Sequence, residues 1–321
     1  KAAGFLMQRE INQIVLALNP AHPFVVILGG SKVSDKLGVF RSFIGRMQLG
    51  DKFMIAGAMA YNFLKARGIS VGKSRVEERI KVKSEEVPTE QVVAEIEALA
   101  REHHVELLFP LDHLVVNRFI DVKTKKVIPP TRMFITDGPE VPEGMQAVDI
   151  GPKTIELFKS AAKGARTVVW NGPLGAFDVE LYPYAEGTAQ IARDMASATQ
   201  EYDSQTIVGS RNLVPLLEQT MLSDRPVKEQ ITFYSTGGRA TIEYLVDPRL
   251  PGIEALTRPT DSSSEKQSSS SPVVDGVTLN FLFLQTIYEK LAGWLRARKA
   301  PPSEEEKIFL GPEAYRPKPQ A

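Results

Sequence analysis

Short apolar runs rich in β-branched residues alternate along the chain with stretches of helical repeat. We predict strands at residues 24–28, 53–55, 105–109, 167–170, 206–208 and 231–234. Their apolar residues are consecutive, which is typical of parallel strands buried on both faces. The helical stretch at 90–102 has an apolar face and Thr89 as a candidate N-cap. The alternation predicts an α/β fold, with a doubly wound, Rossmann-like, six-stranded parallel sheet flanked by helices.

The pattern changes at residue 256 and divides the chain into four parts. Residues 1–256 carry the α/β pattern, and residues 257–272 form a Ser-rich linker. We predict an amphipathic helix at 273–299 and an extended arm at 300–321, which together make a C-terminal extension. The helix needs cover from the chain's own sheet, from other protein subunits of a complex, or, as a third alternative, from a membrane interface. Its candidate docking residues are Phe281, Leu284, Tyr288, Leu291 and Trp294.

Composition and charge exclude several classes of function. Hydrophobic residues make up 43% of the chain and charged residues 24%, as in a globular protein with a core. Basic and acidic residues are balanced at 39 each, so nucleic acid is not a favoured partner. There is no cysteine to form disulfides or ligate a metal, and no apolar run reaches the roughly 18 residues of a transmembrane segment. The first residue is Lys1 rather than Met, so we expect upstream processing and an organelle matrix or stroma rather than the cytosol.

Glycine-rich or polar segments follow each predicted strand. They read GGSK at 29–32, AGAM at 56–59, PLD at 110–112, NGPLG at 171–175, GSRN at 209–212 and STGGR at 235–239. Such segments fall at the carboxyl ends of the strands, where open α/β sheets bind ligands. Glycine lets backbone N–H groups approach phosphate, and a following helix adds a favourable dipole. One such loop is explained by a tight turn, but their repetition indicates a phosphate-binding ancestry, although none matches a Walker A or G-x-G-x-x-G motif.

Four motifs resemble those of the phosphoglycerate kinase family. The opening KAAGFLM at 1–7 is similar to the start of that family's interdomain helix. The segment GGSKVSDK at 29–36 resembles GGAKVxDK, and WNGPLGAF at 170–177 resembles WNGPxGxFE. The segment LPGI at 250–253 is similar to LPGV. The resemblance runs from Lys1 to about residue 256 and implies the C-terminal, nucleotide-binding domain of that family.

The resemblance implies a vestigial nucleotide site. It implies that Lys32 stabilises the phosphoryl group in transfer and that Lys36 holds the nucleotide phosphates. It also implies that Asn171 lies beside the triphosphate and that Asp178, in the place of a glutamate, binds the ribose hydroxyls. Positioning and positive charge are what phosphoryl transfer mainly requires. The glycines that the resemblance assigns to the site are Gly57, Gly209, Gly237 and Gly238.

Three loops depart from the family's pattern. The family's GGGDT reads GSRNL at 209–213, so Asn212 replaces the aspartate that holds the nucleotide-bound magnesium, and Leu213 replaces a hydroxyl. The family's STGGG ends in Arg239, which we expect to crowd the phosphate cradle and to cost about 1–2 kcal/mol if its φ is positive. The family's GGGM reads AGAM, which we expect to narrow the adenine slot. The altered positions are Ala56, Ala58, Ser210, Arg211, Asn212, Leu213 and Arg239.

These changes, together with the lack of the family's substrate domain before Lys1, predict a pseudoenzyme. We expect a non-catalytic, structural or accessory subunit of a multiprotein complex, with no metal and no cofactor. One alternative is a nucleotide- or anion-binding module in which Arg211 and Arg239 replace the magnesium charge, giving weak ADP or ATP binding without magnesium. The other alternative is half of an active ATP:3-phosphoglycerate phosphotransferase that another chain completes.

Overall fold

The computed structural model describes residues 4–82, 84–119, 128–176 and 184–257. Its strands are β1 (Phe24–Leu28), β2 (Lys52–Ile55), β3 (Arg79–Val82), β4 (Glu85–Pro88), β5 (Glu106–Leu108), β6 (His113–Val116), β7 (Met133–Ile135), β8 (Gln146–Ile150), β9 (Thr167–Asn171), β10 (Gln205–Val208), β11 (Met221–Leu222), β12 (Arg225–Pro226) and β13 (Phe233–Tyr234). Its α-helices are α1 (Phe5–Leu18), α2 (Leu37–Ile44), α3 (Ala60–Ala66), α4 (Thr89–Glu102), α5 (Pro152–Ala162), α6 (Glu186–Tyr202), α7 (Val214–Gln219), α8 (Arg239–Val246) and α9 (Pro251–Thr257).

Six of the strands form one parallel sheet in the order β13-β10-β9-β1-β2-β5. Every neighbouring pair in it is parallel. Each predicted strand is present, and the ends differ by one or two residues at most, as where β13 begins at Phe233 rather than Ile231. The predicted six-stranded parallel sheet with flanking helices is therefore confirmed.

The apolar runs are consecutive because the strands serve two cores. Phe24, Val26 and Leu28 of β1 belong to a core packed by α1, α2, α3, α4 and α8. Val25 and Ile27 of the same strand belong to a second core packed by α5, α6 and α7. Neither face of the sheet is left to water, so no polar residue has to alternate with the apolar ones.

The antiparallel parts of the fold are not predicted by the pattern. Strand β6 pairs with both β7 and β8, β3 pairs with β4, and β11 pairs with β12. Most of these strands are short and partly exposed, as in β7, where Met133 and Ile135 lie on the surface. An apolar run of three residues, as in β7, is too short to distinguish a strand from a loop by its pattern.

The predicted N-cap at Thr89 is wrong. The helix α4 begins at Thr89 itself, and Pro88, with φ −57° and ψ 138°, holds the extended N-cap position. Proline pre-sets its own φ, so the helix starts one residue earlier than the pattern indicates. The Oγ1 atom of Thr89 is buried and has no hydrogen-bond partner among the described residues.

Several predictions fall on residues outside the described ranges. They include the ribose-binding Asp178 and nearly all of the C-terminal extension, with its docking residues Phe281, Leu284, Tyr288, Leu291 and Trp294. The domain limits at 256, 272 and 299 therefore stay predictions. In the part of the chain that is described, none of the helices combines the length and apolarity needed to span a membrane.

Candidate functional site

The strand order reverses between β1 and β9. From β1 the chain builds outward through β2 and β5, whereas β9 is followed on the other side by β10 and β13. Loops that leave two neighbouring strands in opposite directions open a crevice, which is where open α/β sheets bind ligands. A cavity of about 810 Å³ lies there, and the loops after β1, β2, β9 and β10 line it together with Gly238.

The loops after β1 and β9 cross in direct backbone contact. The N–H of Gly29 donates to the carbonyl of Asn171 at 2.9 Å, and that of Gly30 donates to Pro173 at 2.8 Å. A Cβ atom on Gly29 would lie 2.2 Å from the Pro173 oxygen. One on Gly172, whose φ is +93°, would lie 2.5 Å from the Gly29 oxygen. The crossing therefore requires glycine at both positions.

The glycine N–H groups at this crossing do not point at a ligand. Those of Gly29 and Gly30 are taken by β9-loop carbonyls, that of Gly57 donates to Leu174 at 3.0 Å, and that of Gly209 donates to Trp170 at 2.7 Å. The expectation that these groups bind phosphate directly is wrong, because each already has a backbone partner. The glycines give the cavity its shape, and its charge comes from side chains.

The loop after β2 contributes Gly57 and Ala58 to the cavity wall. Ala56 is fully buried in the second core, so its methyl group does not narrow the slot, and that expectation is wrong for Ala56. Gly57 has φ +67°, and a Cβ atom on it would lie 2.7 Å from the nitrogen of Gly30. This third loop is therefore packed against the crossing as closely as the other two.

The side chain of Asn171 joins two of these loops. Its Oδ1 atom accepts a hydrogen bond from Lys36 Nζ, and its Nδ2 atom donates to the carbonyl of Gly209 at 2.6 Å. Lys36 is 9% exposed and Asn171 is 2% exposed. Burial lowers the pKa of Lys36 to about 8, against the opposing effect of the Asp35 charge. A buried ammonium held by an oriented amide therefore lies at the cavity at neutral pH.

Lys32 lies on the same loop as Lys36 but in different surroundings. Its side chain is exposed, and it is not among the residues that line the cavity. The structure thus separates the two lysines that the resemblance places at the phosphates. Of these two lysines, Lys36 lines the cavity and Lys32 does not.

The loop after β10 presents polar side chains to the cavity. Ser210, Arg211 and Asn212 line it, and Arg211–Leu213 form one turn of 3-10 helix. Leu213 is fully buried in the second core and anchors that turn. Leu213, counted among the altered positions of the site because it replaces a hydroxyl, therefore does not reach the cavity.

The loop after β13 carries its unusual backbone at Gly238 rather than at Arg239. Gly238 has φ 58° and is the N-cap of α8, whereas Arg239 is the first residue of that helix. The expected backbone strain at Arg239 is wrong, since any L-residue adopts helical angles. The placement of its side chain is outside what the structure describes. Gly237 does not line the cavity, and its N–H donates to Ser235 Oγ at 3.1 Å.

Glu10 of α1 holds the same loop, and the sequence pattern did not single it out. Its carboxylate accepts hydrogen bonds from Ser235 Oγ at 2.6 Å, from the Thr236 N–H at 2.8 Å and from Thr236 Oγ1 at 2.9 Å. In sequence terms Glu10 is an ordinary charged residue of an amphipathic helix. Its role follows from the packing of α1 beside β13.

The segment after β5 is structural rather than ligand-binding. Asp112 is fully buried, and its carboxylate accepts the N–H groups of Lys153 at 2.9 Å and Thr154 at 2.8 Å. These N–H groups belong to the first turn of α5, where a carboxylate is stabilised. The expectation of a ligand-binding loop after every strand is therefore wrong here.

The wall opposite the loops comes from outside the parallel sheet. Lys73, Arg75, Phe119 and the start of β8 as far as Val148 line it, and the strand pattern indicated none of them. The Phe119 ring contacts Tyr184 edge-on at 5.5 Å between centroids. The cavity therefore combines apolar and aromatic surface with cations, as sites for small charged ligands do.

A buried carboxylate stands directly behind this wall. Asp149 of β8 accepts the N–H of Gly187 in the first turn of α6 at 2.7 Å and the N–H of Ile150 at 2.9 Å. Burial raises the pKa of Asp149 to about 7. Gly175, which lines the cavity, packs so closely that a Cβ atom on it would lie 2.3 Å from Asp149 Oδ1.

Comparison with known proteins gives consistent results. The family model described as phosphoglycerate kinase matches residues 1–247. The chain is 40% identical over 257 residues to phosphoglycerate kinase of Lacticaseibacillus casei (strain BL23), covering 80% of this chain and 56% of that protein. It is also 40% identical over 255 residues to phosphoglycerate kinase of Chloroflexus aggregans, and this match covers 79% of this chain and 57% of that protein. The chain thus spans just over half the length of these curated relatives.

Solved structures of the same name share the fold. Phosphoglycerate kinase from Coxiella burnetii aligns with a TM-score of 0.64 and 28% identity, over 79% of this chain and 57% of that one. Phosphoglycerate kinase from Pyrococcus horikoshii OT3 aligns with a TM-score of 0.59 and 25% identity, over 79% of this chain and 56% of that one.

These findings correct the predicted function. The relatives named as a kinase are 40% identical to the chain, and the family model spans all of the altered loops. The prediction of a non-catalytic pseudoenzyme serving as a structural subunit is therefore wrong. The altered residues Ala56 and Leu213 lie in the core, and the Lys36–Asn171–Gly209 contacts are intact. The chain belongs to the phosphoglycerate kinase family.

Proposed function

We propose that this chain is the C-terminal, nucleotide-binding half of a phosphoglycerate kinase, which transfers a phosphoryl group between a nucleotide and 3-phosphoglycerate. The observation that carries the proposal is the Lys36–Asn171–Gly209 bridge beside a cavity of about 810 Å³ at the sheet's switch point. The names of the relatives support the reaction. Because the chain spans just over half of their length, the acceptor site and the complete reaction are part of the proposal.

Lys36 provides the positive charge that holds the nucleotide phosphates. Asn171 fixes the direction of the ammonium by accepting a hydrogen bond from it through Oδ1, while its Nδ2 atom donates to the Gly209 carbonyl. A charge held in place in this way needs no reorganisation as negative charge moves during phosphoryl transfer. The exposed Lys32, on the same loop, is assigned to the transferred phosphoryl group rather than to the bound nucleotide.

The nucleoside is assigned to the apolar part of the cavity. Phe119 and Val148 offer the flat and aliphatic surface on which a base packs, and Leu174 adds to it from the β9 loop. Binding of the ribose hydroxyls by Asp178 remains part of the proposal. Burial of the base and pairing of the phosphates with Lys36 together account for a nucleotide rather than a simple anion as the ligand.

The test is a thermal-shift study of the purified chain with ADP and ATP, together with a coupled-enzyme assay of the chain combined with the acceptor-binding half of a relative. Nucleotide at about 100 times its Kd adds about 2.7 kcal/mol to the free energy of unfolding. We expect Lys36→Met to abolish this gain, and the matched control Lys163→Met, an exposed lysine after α5, to keep it. We expect Lys32→Met to keep the gain in the thermal-shift study but to lower turnover of 3-phosphoglycerate in the combined assay. No stabilisation at millimolar nucleotide, or an unchanged gain in Lys36→Met, contradicts the proposal.

A further inference from the structure

The side chains around the cavity are predominantly cationic. Lys36, Lys73, Arg75 and Arg211 line it, and among the described lining residues Asp35 is the one carboxylate. Lys36 is bound to the neutral Asn171. No described acidic residue forms an ion pair with Lys73, Arg75 or Arg211. Within its described lining, the cavity thus has positive charge that neighbouring acidic residues do not pair with.

Arg211 lies at the rim of the cavity, in the loop after β10. It begins the 3-10 turn that Leu213 anchors in the core, and it lies one residue after Ser210 in the cavity wall. Its Cβ atom is 3.9 Å from the place where Gly238, the N-cap of α8, would carry a Cβ. The side chain is exposed and therefore available to a ligand.

The residues at this rim do not fit a magnesium ion. The family resemblance implies Mg²⁺ carried by the nucleotide, and Mg²⁺ is normally held by one or two carboxylates together with substrate phosphates. The residues at the corresponding loop are a neutral amide, Asn212, and a cation, Arg211. Asp35 is adjacent to Lys36 and interacts electrostatically with its ammonium. No group of three or more acidic, His or Cys residues in the described part of the chain suits a metal ion.

We propose that this cavity binds the metal-free polyphosphate of a nucleoside di- or triphosphate in preference to its magnesium complex, with Arg211 supplying the compensating charge. The inference rests on the nucleotide site proposed above. Magnesium cancels two negative charges of the polyphosphate, so it removes attraction to the unpaired cations and adds repulsion from the Arg211 guanidinium. Asn212 offers no carboxylate to offset that loss.

The experiment measures ADP binding to the full chain by isothermal titration calorimetry, in EDTA and in excess magnesium at equal ionic strength. We expect binding to be about tenfold tighter in EDTA, which corresponds to one charge-assisted contact. Arg211→Gln is expected to lose about tenfold in EDTA and little in magnesium, so that the preference disappears. Asn212→Asp, which restores a carboxylate, is expected to shift the preference toward the magnesium complex. The control is Arg101→Gln, an exposed position in the last turn of α4.

The outcomes separate this inference from the proposed function. Tighter ADP binding by the wild type in magnesium, or an Arg211→Gln variant that binds metal-free ADP normally, overturns the inference and leaves the nucleotide site standing. No ADP binding in either buffer overturns both. Arg211 is exposed, so its variant is expected to fold, and its melting temperature without ligand verifies this.

Discussion

Replacement of Asn171 by alanine isolates the contact on which the site depends. The variant removes two hydrogen bonds. The one from the Lys36 ammonium contributes about 1.5–3 kcal/mol to stability, and the neutral hydrogen bond to the Gly209 carbonyl contributes about 0.5–1.5 kcal/mol. Both partners are left buried, so we expect the free energy of unfolding to fall by about 2–4 kcal/mol at neutral pH. Because the amide accepts a hydrogen bond from the charged form, we also expect its loss to lower the pKa of Lys36 below the wild-type value of about 8.

The pH dependence of this loss distinguishes a buried ammonium from ordinary packing. Because Lys36 has a lower pKa in the folded state than the usual 10.5, the unfolded chain binds more protons between these values, and stability rises with pH there. In Asn171→Ala that rise begins at a lower pH. The stability difference from wild type is therefore largest below neutral pH and shrinks as the pH approaches about 8.

Urea denaturation from pH 6.5 to pH 9 measures this difference. The matched control is Asn62→Ala. Asn62 is buried, and its side-chain hydrogen bonds within the described residues go to backbone groups, Met59 O at 3.2 Å and the Glu77 N–H at 2.8 Å. We expect Asn62→Ala to lose about 1–3 kcal/mol without this pH dependence. A pH-independent loss in Asn171→Ala, or one no larger than in the control, refutes the reasoning.

Two further predictions concern backbone crowding and buried charge. Gly29→Ala, whose Cβ would lie 2.2 Å from the Pro173 oxygen, is expected to lose more than about 3 kcal/mol in urea denaturation. Gly68→Ala, with φ +78° but no atom within 4 Å, is expected to lose only about 1–2 kcal/mol, so equal losses would argue against steric exclusion. Burial raises the pKa of Asp149 to about 7, so the folded chain holds this proton more tightly than the unfolded chain. The contribution of Asp149 to the free energy of unfolding therefore falls as the pH rises from about 4 to 7. Asp149→Asn cannot ionise, so its free energy of unfolding is expected to rise relative to that of wild type as the pH increases from about 4 to 7. A stability difference that does not change with pH would contradict a protonated Asp149 in the folded state.

The altered loops show why residue type alone misjudged the site. A substitution at a motif position changes the chemistry of a cavity only if the side chain faces that cavity. Ala56 and Leu213 face the second core instead, whereas Arg211 and Asn212 face the cavity. In the loop after β10 the chain turns through one turn of 3-10 helix, which leaves Arg211 and Asn212 at the cavity and buries Leu213 in the core.

The sequence by itself determined the parallel sheet and the loops that form the crevice. Strands such as β1 and β9 follow from consecutive apolar residues, since burial on both faces leaves a continuous run. Glycine at positions 29 and 172 indicated close approach of the backbone to a ligand, whereas in the structure the group that approaches is the backbone of the neighbouring loop. These signals are local, and each can be read within a few residues.

The contacts that make the site depend on the tertiary structure. Lys36 and Asn171 are 135 residues apart in the chain, and Glu10 and Ser235 are 225 apart. The cavity wall that contains Arg75 lies outside the parallel sheet, in a segment with too few apolar residues for the sequence pattern to indicate a site there. The hydrogen bond of Lys36 to Asn171, its burial and its lowered pKa arise only when distant segments pack together. Desolvation is a property of the surroundings and not of the residue type.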